Sequence, residues 1–208
     1  MKAFIYTELQ IAVPFSQAPW RDLNPVLLRQ PGFRNKTWLS GLGNDSLGGF
    51  YEFDSIENAQ RFVTGYFPSE ARKFGVAQTT RIFDGSVVEE ASRELNSMHF
   101  GGKLTQKPGA FVYTEVQLSV PFANAPWREL NPILRAQPGF LSKTWLSGLQ
   151  TQTVGGFYAF DTEENARLFV TDYFPSETSK MNVAYTTRIF NAGVVEEASS
   201  GLGSPFFA

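Results

Sequence analysis

The hexapeptide Ala3-Phe4-Ile5-Tyr6-Thr7-Glu8 recurs as Ala110-Phe111-Val112-Tyr113-Thr114-Glu115, a shift of 107 positions. The same shift places Trp38 on Trp145. No gap is needed from Ala3 to Ser92, and most aligned positions are identical. Self-similarity of this length at one fixed shift indicates that the chain contains two copies of one domain.

Each copy contains the signals of four strands and two helices. Residues 3–13 alternate between apolar and polar side chains up to Pro14, which predicts a strand, and further strands are predicted at 33–42, 49–53 and 76–83. Asn24-Pro25 opens a short helix, and Asp54-Ser55 caps a second one. The order β-α-β-β-α-β predicts an α+β fold with two ferredoxin-like repeats. Because each sheet leaves one apolar face bare, we expect the two repeats to pack sheet to sheet as an intramolecular, pseudo-dimeric α+β barrel.

The boundaries of the copies follow from the repeat. We predict a first repeat over residues 1–92, a linker over 93–109, a second repeat over 110–199 and a flexible tail over 200–208. Gly101-Gly102 and Pro108-Gly109 punctuate the linker, and the tail is rich in Gly and Ser, although Phe206-Phe207 could dock.

Composition narrows the function. The 208 residues include no cysteine, which excludes disulfides, thiolate catalysis and cysteine-ligated metals. The net charge is −2 and there is no cluster of basic residues, which argues against nucleic-acid binding. No apolar stretch is long enough for a membrane span. We therefore expect a cytoplasmic monomer, with further self-association left open, whose partner is a small organic molecule. No metal or cofactor motif is evident, and the single histidine, His99, lies in the predicted linker.

A family resemblance becomes visible in the ordered motifs of each copy. In the first copy they are Pro31-Gly32-Phe33, Lys36, Trp38, Gly48-Gly49, Tyr51, Phe53, Gly75-Val76 and Arg81-Ile82-Phe83. This set resembles the YdhR-like putative monooxygenases of the dimeric α+β barrel superfamily, whose members are usually single domains that dimerise. The resemblance implies a fused dimer and cofactor-independent monooxygenation of a phenolic or polyketide-like substrate. The family's strand-one histidine is here Glu8 and Glu115, which puts histidine-dependent chemistry in doubt.

The candidate site is built from polar residues on the predicted strands. Tyr6, Glu8 and Gln10 share one face of the first strand, and Lys36 and Trp38 share a face of the second. If these faces coincide, a carboxylate and cations line one cavity in each copy. The predicted catalytic residues are Glu8, Lys36, Arg81, Glu115, Lys143 and Arg188. The predicted substrate-binding residues are Tyr6, Gln10, Trp38, Gln78, Tyr113, Gln117, Trp145 and Tyr185.

Three functions fit these residues. In the first, Glu8 abstracts a proton and Lys36 or Arg81 stabilises an enolate or phenolate that reacts with O2. The second is a non-redox isomerase, cyclase or dehydratase that uses the same groups. The third is a small-ligand-binding protein without turnover, in which the same charges form a salt-bridged network. We favour the first on the resemblance.

Overall fold

The computed structural model describes residues 2–207, which form two compact units. The first unit runs to Ser86 and resumes at Ala192, and the second is Val87–Asn191. Each unit therefore contains one repeat together with the segment that follows the other repeat along the chain. Within the described residues, no helix is both long enough and apolar enough to cross a bilayer.

Each unit is built on a four-stranded antiparallel sheet, as predicted. The strands of the first unit are β1 Ala3–Leu9, β2 Phe33–Ser40, β3 Leu47–Phe53 and β4 Gln78–Asp84, in the order β2-β3-β1-β4. Those of the second are β5 Ala110–Val116, β6 Phe140–Ser147, β7 Val154–Phe160 and β8 Tyr185–Asn191, in the order β6-β7-β5-β8. The β-α-β-β-α-β order of each repeat is confirmed.

The helices are longer than the sequence indicated. They are α1 Trp20–Leu27, α2 Ile56–Arg61, α3 Phe67–Phe74 and α4 Glu89–Glu94, then α5 Trp127–Arg135, α6 Glu163–Leu168, α7 Phe174–Met181 and α8 Glu196–Ser200. The first helix begins at Trp20 with Pro25 inside it, not at Pro25 as predicted. Proline has no backbone N–H, so the helix lacks one i→i−4 hydrogen bond at Pro25.

The second helix of each repeat is interrupted by a π turn. Phe62–Tyr66 joins α2 to α3, and Phe169–Tyr173 joins α6 to α7. Phe62 packs against Tyr51 of β3, with ring centroids 5.1 Å apart, which fixes this helix on one face of the sheet. Because π turns recur at functional sites, the side chain of Tyr66, at the end of one, is a candidate for a functional role.

The predicted linker and flexible tail are folded parts of the two units, which corrects the predicted boundaries. In the segment 93–109, the end of α4 is followed by Leu95 and Phe100, and both are buried. In the segment 200–208, Leu202 and Phe206 are buried as well. Their Gly and Ser content suggested mobility, but burial of these apolar side chains offsets the cost of ordering the backbone.

Candidate functional site

The pairing register decides which predicted residues can meet. Lys36 lies opposite Tyr51, and Trp38 lies opposite Gly49, which in turn lies opposite Thr7. Residues directly opposite each other project from the same face of an antiparallel sheet. Lys36, Trp38, Tyr51 and Thr7 therefore share the sheet face that the helices cover.

A cavity lies between this face and the helices in each unit. The first has about 520 Å³ of space free of protein atoms, including its open mouth, and the second has about 580 Å³. The first is lined by Thr7, Leu9, Ala18, Pro19, Leu23, Leu27, Lys36, Trp38, Leu47, Gly48, Tyr51, Tyr66, Phe67, Glu70 and Phe74. Their counterparts line the second, where Val116, Val154 and Met181 replace Leu9, Leu47 and Phe74, and Leu118 and Thr178 line it in addition. Because these figures include the open mouths, they are upper bounds on the space that a ligand could fill.

The amine of one lysine is the main polar group in each cavity. Lys36 is only 2% exposed, and its Nζ lies 2.8 Å from the ring centroid of Trp38 and 4.8 Å from that of Tyr51. Lys143 repeats both distances against Trp145 and Tyr158. Neither amine forms a hydrogen bond or ion pair with any residue in 2–207. Buried polar groups usually have such partners. The missing partner of this amine is therefore expected to be a bound ligand.

The absence of a side chain at Gly49 leaves space for the Lys36 side chain. A Cβ at Gly49 would lie 2.4 Å from Lys36 Cε and 2.7 Å from a ring carbon of Tyr51. The same crowding exists at Gly156, where a Cβ would lie 2.5 Å from Lys143 Cε. Any larger residue would push the lysine away. The second glycine of Gly48-Gly49 is therefore explained by the side chain that lies across it.

Burial controls the protonation of this lysine. Desolvation lowers the pKa of Lys36, and likewise that of Lys143, well below the ordinary value of a lysine. The aromatic contacts act in the opposite direction, because a desolvated cation over an aromatic ring gains about 2 kcal/mol. Burying an ammonium without a counterion costs several kcal/mol. Desolvation is the larger of these effects, so the neutral amine, with its lone pair available, is more accessible on Lys36 than on an exposed lysine.

Other polar groups in the cavity also lack partners. Thr7 Oγ1 lies beside the Tyr51 hydroxyl and, like Thr114 Oγ1 in the second unit, is buried without a hydrogen bond of normal geometry. The Tyr66 hydroxyl is buried without a partner too, and burial raises its pKa to about 12. At the cavity lining, Glu70 is paired with Lys73 at 2.6 Å. The cavity lining therefore contains hydroxyl groups and one carboxylate, and that carboxylate is ion-paired with Lys73.

Hydrogen bonds hold the tryptophan that backs the lysine. Trp38 Nε1 donates to Asn24 Oδ1 at 2.9 Å, and Asn24 Nδ2 donates to the carbonyl of Ala198 at 2.8 Å. The backbone N–H of Trp38 donates to Ser199 Oγ at 2.9 Å. The segment after Ala192, predicted to be partly tail, therefore fixes the aromatic wall of the first cavity.

The second unit repeats this network with the segment that precedes its repeat. Trp145 Nε1 donates to Asn131 Oδ1 at 2.9 Å, and Asn131 Nδ2 donates to the carbonyl of Ala91 at 3.1 Å. Ser92 Oγ accepts the Trp145 backbone N–H at 2.9 Å. The asparagine is thus the link between each cavity wall and its flanking segment.

The predicted carboxylates do not reach the cavities. Glu8 lies opposite Gly48, one residue out of phase with Thr7, so it faces the other side of the sheet. There it accepts hydrogen bonds from Tyr6 at 2.8 Å and Ser46 at 2.7 Å. Glu115 accepts equivalent bonds from Tyr113 and Thr153. The prediction that Glu8 and Lys36 line one cavity is wrong, because alternation along β1 turns Glu8 to the face opposite that of Thr7 and Lys36.

The predicted arginines are also elsewhere. Arg81 lies opposite Tyr6, on the Glu8 face, and it is exposed. Its guanidinium donates to the carbonyl of Thr80 at 3.0 Å, and Arg188 does the same to Thr187. The structure therefore retains the two lysines as cavity residues and removes the two glutamates and two arginines from that set.

The predicted substrate-binding residues divide in the same way. Trp38 and Trp145 line the cavities. Tyr6 and Tyr113 are hydrogen-bonded to the glutamates on the opposite face. Those that are exposed and outside the cavity linings are Gln10, Gln78, Gln117 and Tyr185.

Cavity residues on the second helix were not predicted. Tyr66 and Glu70 both line the first cavity, and Tyr173 and Glu177 occupy the same places in the second. Their spacing of four residues puts each pair on one helix face. That pair, present in both copies, was the signal that could have found them. Among residues 2–207, no three His, Cys, Asp or Glu side chains are grouped to hold a metal ion.

Comparison with known proteins identifies the fold. No protein-family model and no curated protein matches the chain. Among solved structures, an anthrone oxidase-like protein matches with a TM-score of 0.58 and 16% identity over 91% of this chain and 90% of its own. A putative chlorite dismutase matches with a TM-score of 0.58 and 12% identity over 98% and 99%. A putative monooxygenase from Fusobacterium nucleatum subsp. nucleatum matches with a TM-score of 0.54 and 8% identity over 91% of both. The chain thus has the fold of dimeric α+β barrel proteins with two ferredoxin-like repeats.

Proposed function

We propose that each cavity binds a small enolisable or phenolic molecule and that the protein is a cofactor-independent monooxygenase. The observation that carries this proposal is the buried amine of Lys36, repeated as Lys143, which has no protein partner in an aromatic-walled cavity. The structural similarity to proteins described as monooxygenases and as anthrone oxidase-like supports the class of reaction.

The lysine takes the role of base that was predicted for Glu8. A neutral amine accepts the acidic proton of the substrate, and the resulting ammonium stabilises the enolate or phenolate beside it. Trp38 and Tyr51 support that ammonium through their ring faces. The charge pair forms only after proton transfer, so the cavity favours the anion more than the neutral substrate.

The anion then reacts with O2. Its carbanionic carbon gives a peroxide, which takes the proton back from the lysine. Loss of water leaves a carbonyl: one oxygen atom stays on that carbon, and the other departs with the two hydrogens the carbon carried. The substrate supplies all the electrons, so O2 is the only co-reactant.

Oxygen consumption tests this proposal. Anthrone is the first probe, because it is an enolisable aromatic ketone and its name is carried by one structural neighbour. We expect O2 uptake above the buffer rate at pH 7, with the quinone and water as products. The variant Lys36→Met/Lys143→Met should lose at least about 100-fold in rate, the effect typical of a general base. Lys103→Met alters an exposed lysine outside both cavities, so this variant should keep the wild-type rate of O2 uptake.

The outcomes separate the other two functions. Turnover under nitrogen, abolished in the double variant, would replace the oxygenase by a non-redox isomerase, cyclase or dehydratase that uses the same base. Saturable binding without turnover in either atmosphere, across a panel of phenols and enolisable ketones, would replace it by a binding protein. Uptake of O2 at the same rate in the double variant would refute the role of the lysines.

A further inference from the structure

The cavity lysine has the surroundings of a nucleophile as well as those of a base. Its stem is fixed between the Trp38 ring and Gly49, and its Nζ faces an open cavity without a hydrogen bond that would occupy the lone pair. A flexible surface lysine at neutral pH has neither property, because it is protonated and hydrated. Lysines desolvated in hydrophobic pockets are the ones that attack carbonyl groups.

We propose that Lys36 and Lys143 form Schiff bases with apolar aldehydes or ketones that enter the cavities. This activity goes beyond the proposed oxygenase and needs no O2. The carbonyl class follows from the cavity linings, in which apolar and aromatic side chains outnumber the polar ones and the lysine is among the few ionisable residues. An imine is neutral and tolerates such walls, whereas a charged ligand would need a counterion there.

The chemistry balances with the groups present. The Nζ lone pair attacks the carbonyl carbon, so that the N–C bond forms and the C–O π bond opens. One amine proton moves to the oxygen to give a carbinolamine, and a second leaves with that oxygen as water when the C=N bond forms. Hydroxyls are suited to relay these protons, and Thr7 and Tyr66 place two without partners in the first cavity lining.

Reductive trapping on the wild-type protein tests the proposal. The probe is benzaldehyde, an uncharged aromatic aldehyde, with cyanoborohydride to reduce the imine to a stable secondary amine, under nitrogen. Peptide mass mapping gives the labelling rate of each lysine. We expect Lys36 and Lys143 to be labelled at least about 10-fold faster than exposed Lys103 at pH 7, because desolvation lowers the pKa of the two cavity lysines.

Two further readouts separate a cavity site from a reactive surface amine. The labelling rate of Lys36 should rise less between pH 7 and 9 than that of a free alkylamine, because burial lowers the pKa of Lys36 well below the ordinary lysine value. The other titratable groups lining this cavity are Tyr51, Tyr66 and Glu70, and the tyrosine pKa values are raised, so the two hydroxyls stay neutral in this range. Toluene, which resembles the probe but has no carbonyl, should slow labelling of Lys36 and leave Lys103 unchanged.

Either of two results would overturn the inference. One is labelling of Lys36 no faster than that of Lys103 at pH 7. The other is fast labelling that toluene does not slow, which would place the reaction outside the cavity. Labelling without O2 consumption would retain the carbonyl chemistry and remove the oxygenase, so the two proposals fail separately.

Discussion

Replacing Lys36 by methionine should make the protein more stable. Methionine has nearly the same length and fills the space between Trp38 and Gly49, but it removes a buried amine that has no hydrogen-bond partner. Burying such a polar group costs about 1 to 3 kcal/mol. We therefore expect Lys36→Met to raise the free energy of unfolding at pH 7 by at least about that amount, and the Tm by roughly 2 to 4 °C for each kcal/mol.

The gain should depend on pH in a defined direction. The pKa of Lys36 is lowered in the folded state, so the unfolded chain binds its proton more readily. Between the folded and unfolded pKa values the unfolded state holds more protons, and wild-type stability therefore rises with pH. The limiting slope is about 1.4 kcal/mol for each pH unit, up to an unfolded pKa near 10.4. Because Lys36→Met lacks this titration, its advantage over the wild type should shrink as the pH rises.

Urea unfolding at pH 6, 7, 8 and 9 measures this advantage. Lys143→Met provides the same test in the second unit, and Lys103→Met is the control, since an exposed lysine should change stability by less than about 0.5 kcal/mol at every pH. A different result would refute the argument. If Lys36→Met is less stable than the wild type, and the wild type loses stability as the pH rises, then the aromatic rings hold a charged ammonium and the pKa is raised.

Other substitutions test the supports of the site. Gly49→Ala should destabilise the protein by about 1 to 3 kcal/mol and abolish ligand binding, because its Cβ would displace the lysine, whereas Gly65→Ala meets nothing within 4 Å and should be neutral or slightly stabilising in the same urea assay. Asn24→Ala leaves the Trp38 indole N–H and a backbone carbonyl without a partner, and should cost about 2 kcal/mol or more by the same measurement. In an absorbance titration of tyrosine ionisation at 295 nm, Tyr66→Phe should lack one step near pH 12 that the wild type shows, and its steps near pH 10 should be unchanged.

The fold was predictable because the repeat and the local signals agree. Alternation in 3–13 predicted β1, and the same pattern 107 positions later predicted β5. The helices were harder to place, because the sequence around Pro25 is typical of the first residue of a helix, whereas Pro25 lies inside the helix. The segments 93–109 and 200–208 were misread for another reason. Their Gly and Ser content is local, whereas the burial of Leu95 and Leu202 depends on residues distant in the chain.

Half of each candidate site was predictable from the spacing within single strands. Lys36 and Trp38 are two residues apart on β2, so they share a face whatever the rest of the sheet does, and both line the cavity. The relation of Glu8 to Lys36 involves three strands instead of one. Predicting whether Glu8 and Lys36 share a face requires the pairing register between β2 and β3 and that between β3 and β1. An irregularity between Phe33 and Asn35 shifts the register between β2 and β3.

The polarity of the strands offered no help, because burial does not distinguish the faces. Every residue of β3 is buried, and in β1 only Leu9 is less than fully buried. A sheet with one wet face marks its register by alternating polarity, and a sheet covered on both faces carries no such mark. Glu8 and Lys36 are both buried ionisable residues, so a shift of one residue would exchange their partners without changing the burial pattern. Gly49 was the informative residue, since only a glycine opposite Trp38 leaves space for the lysine to lie across β3.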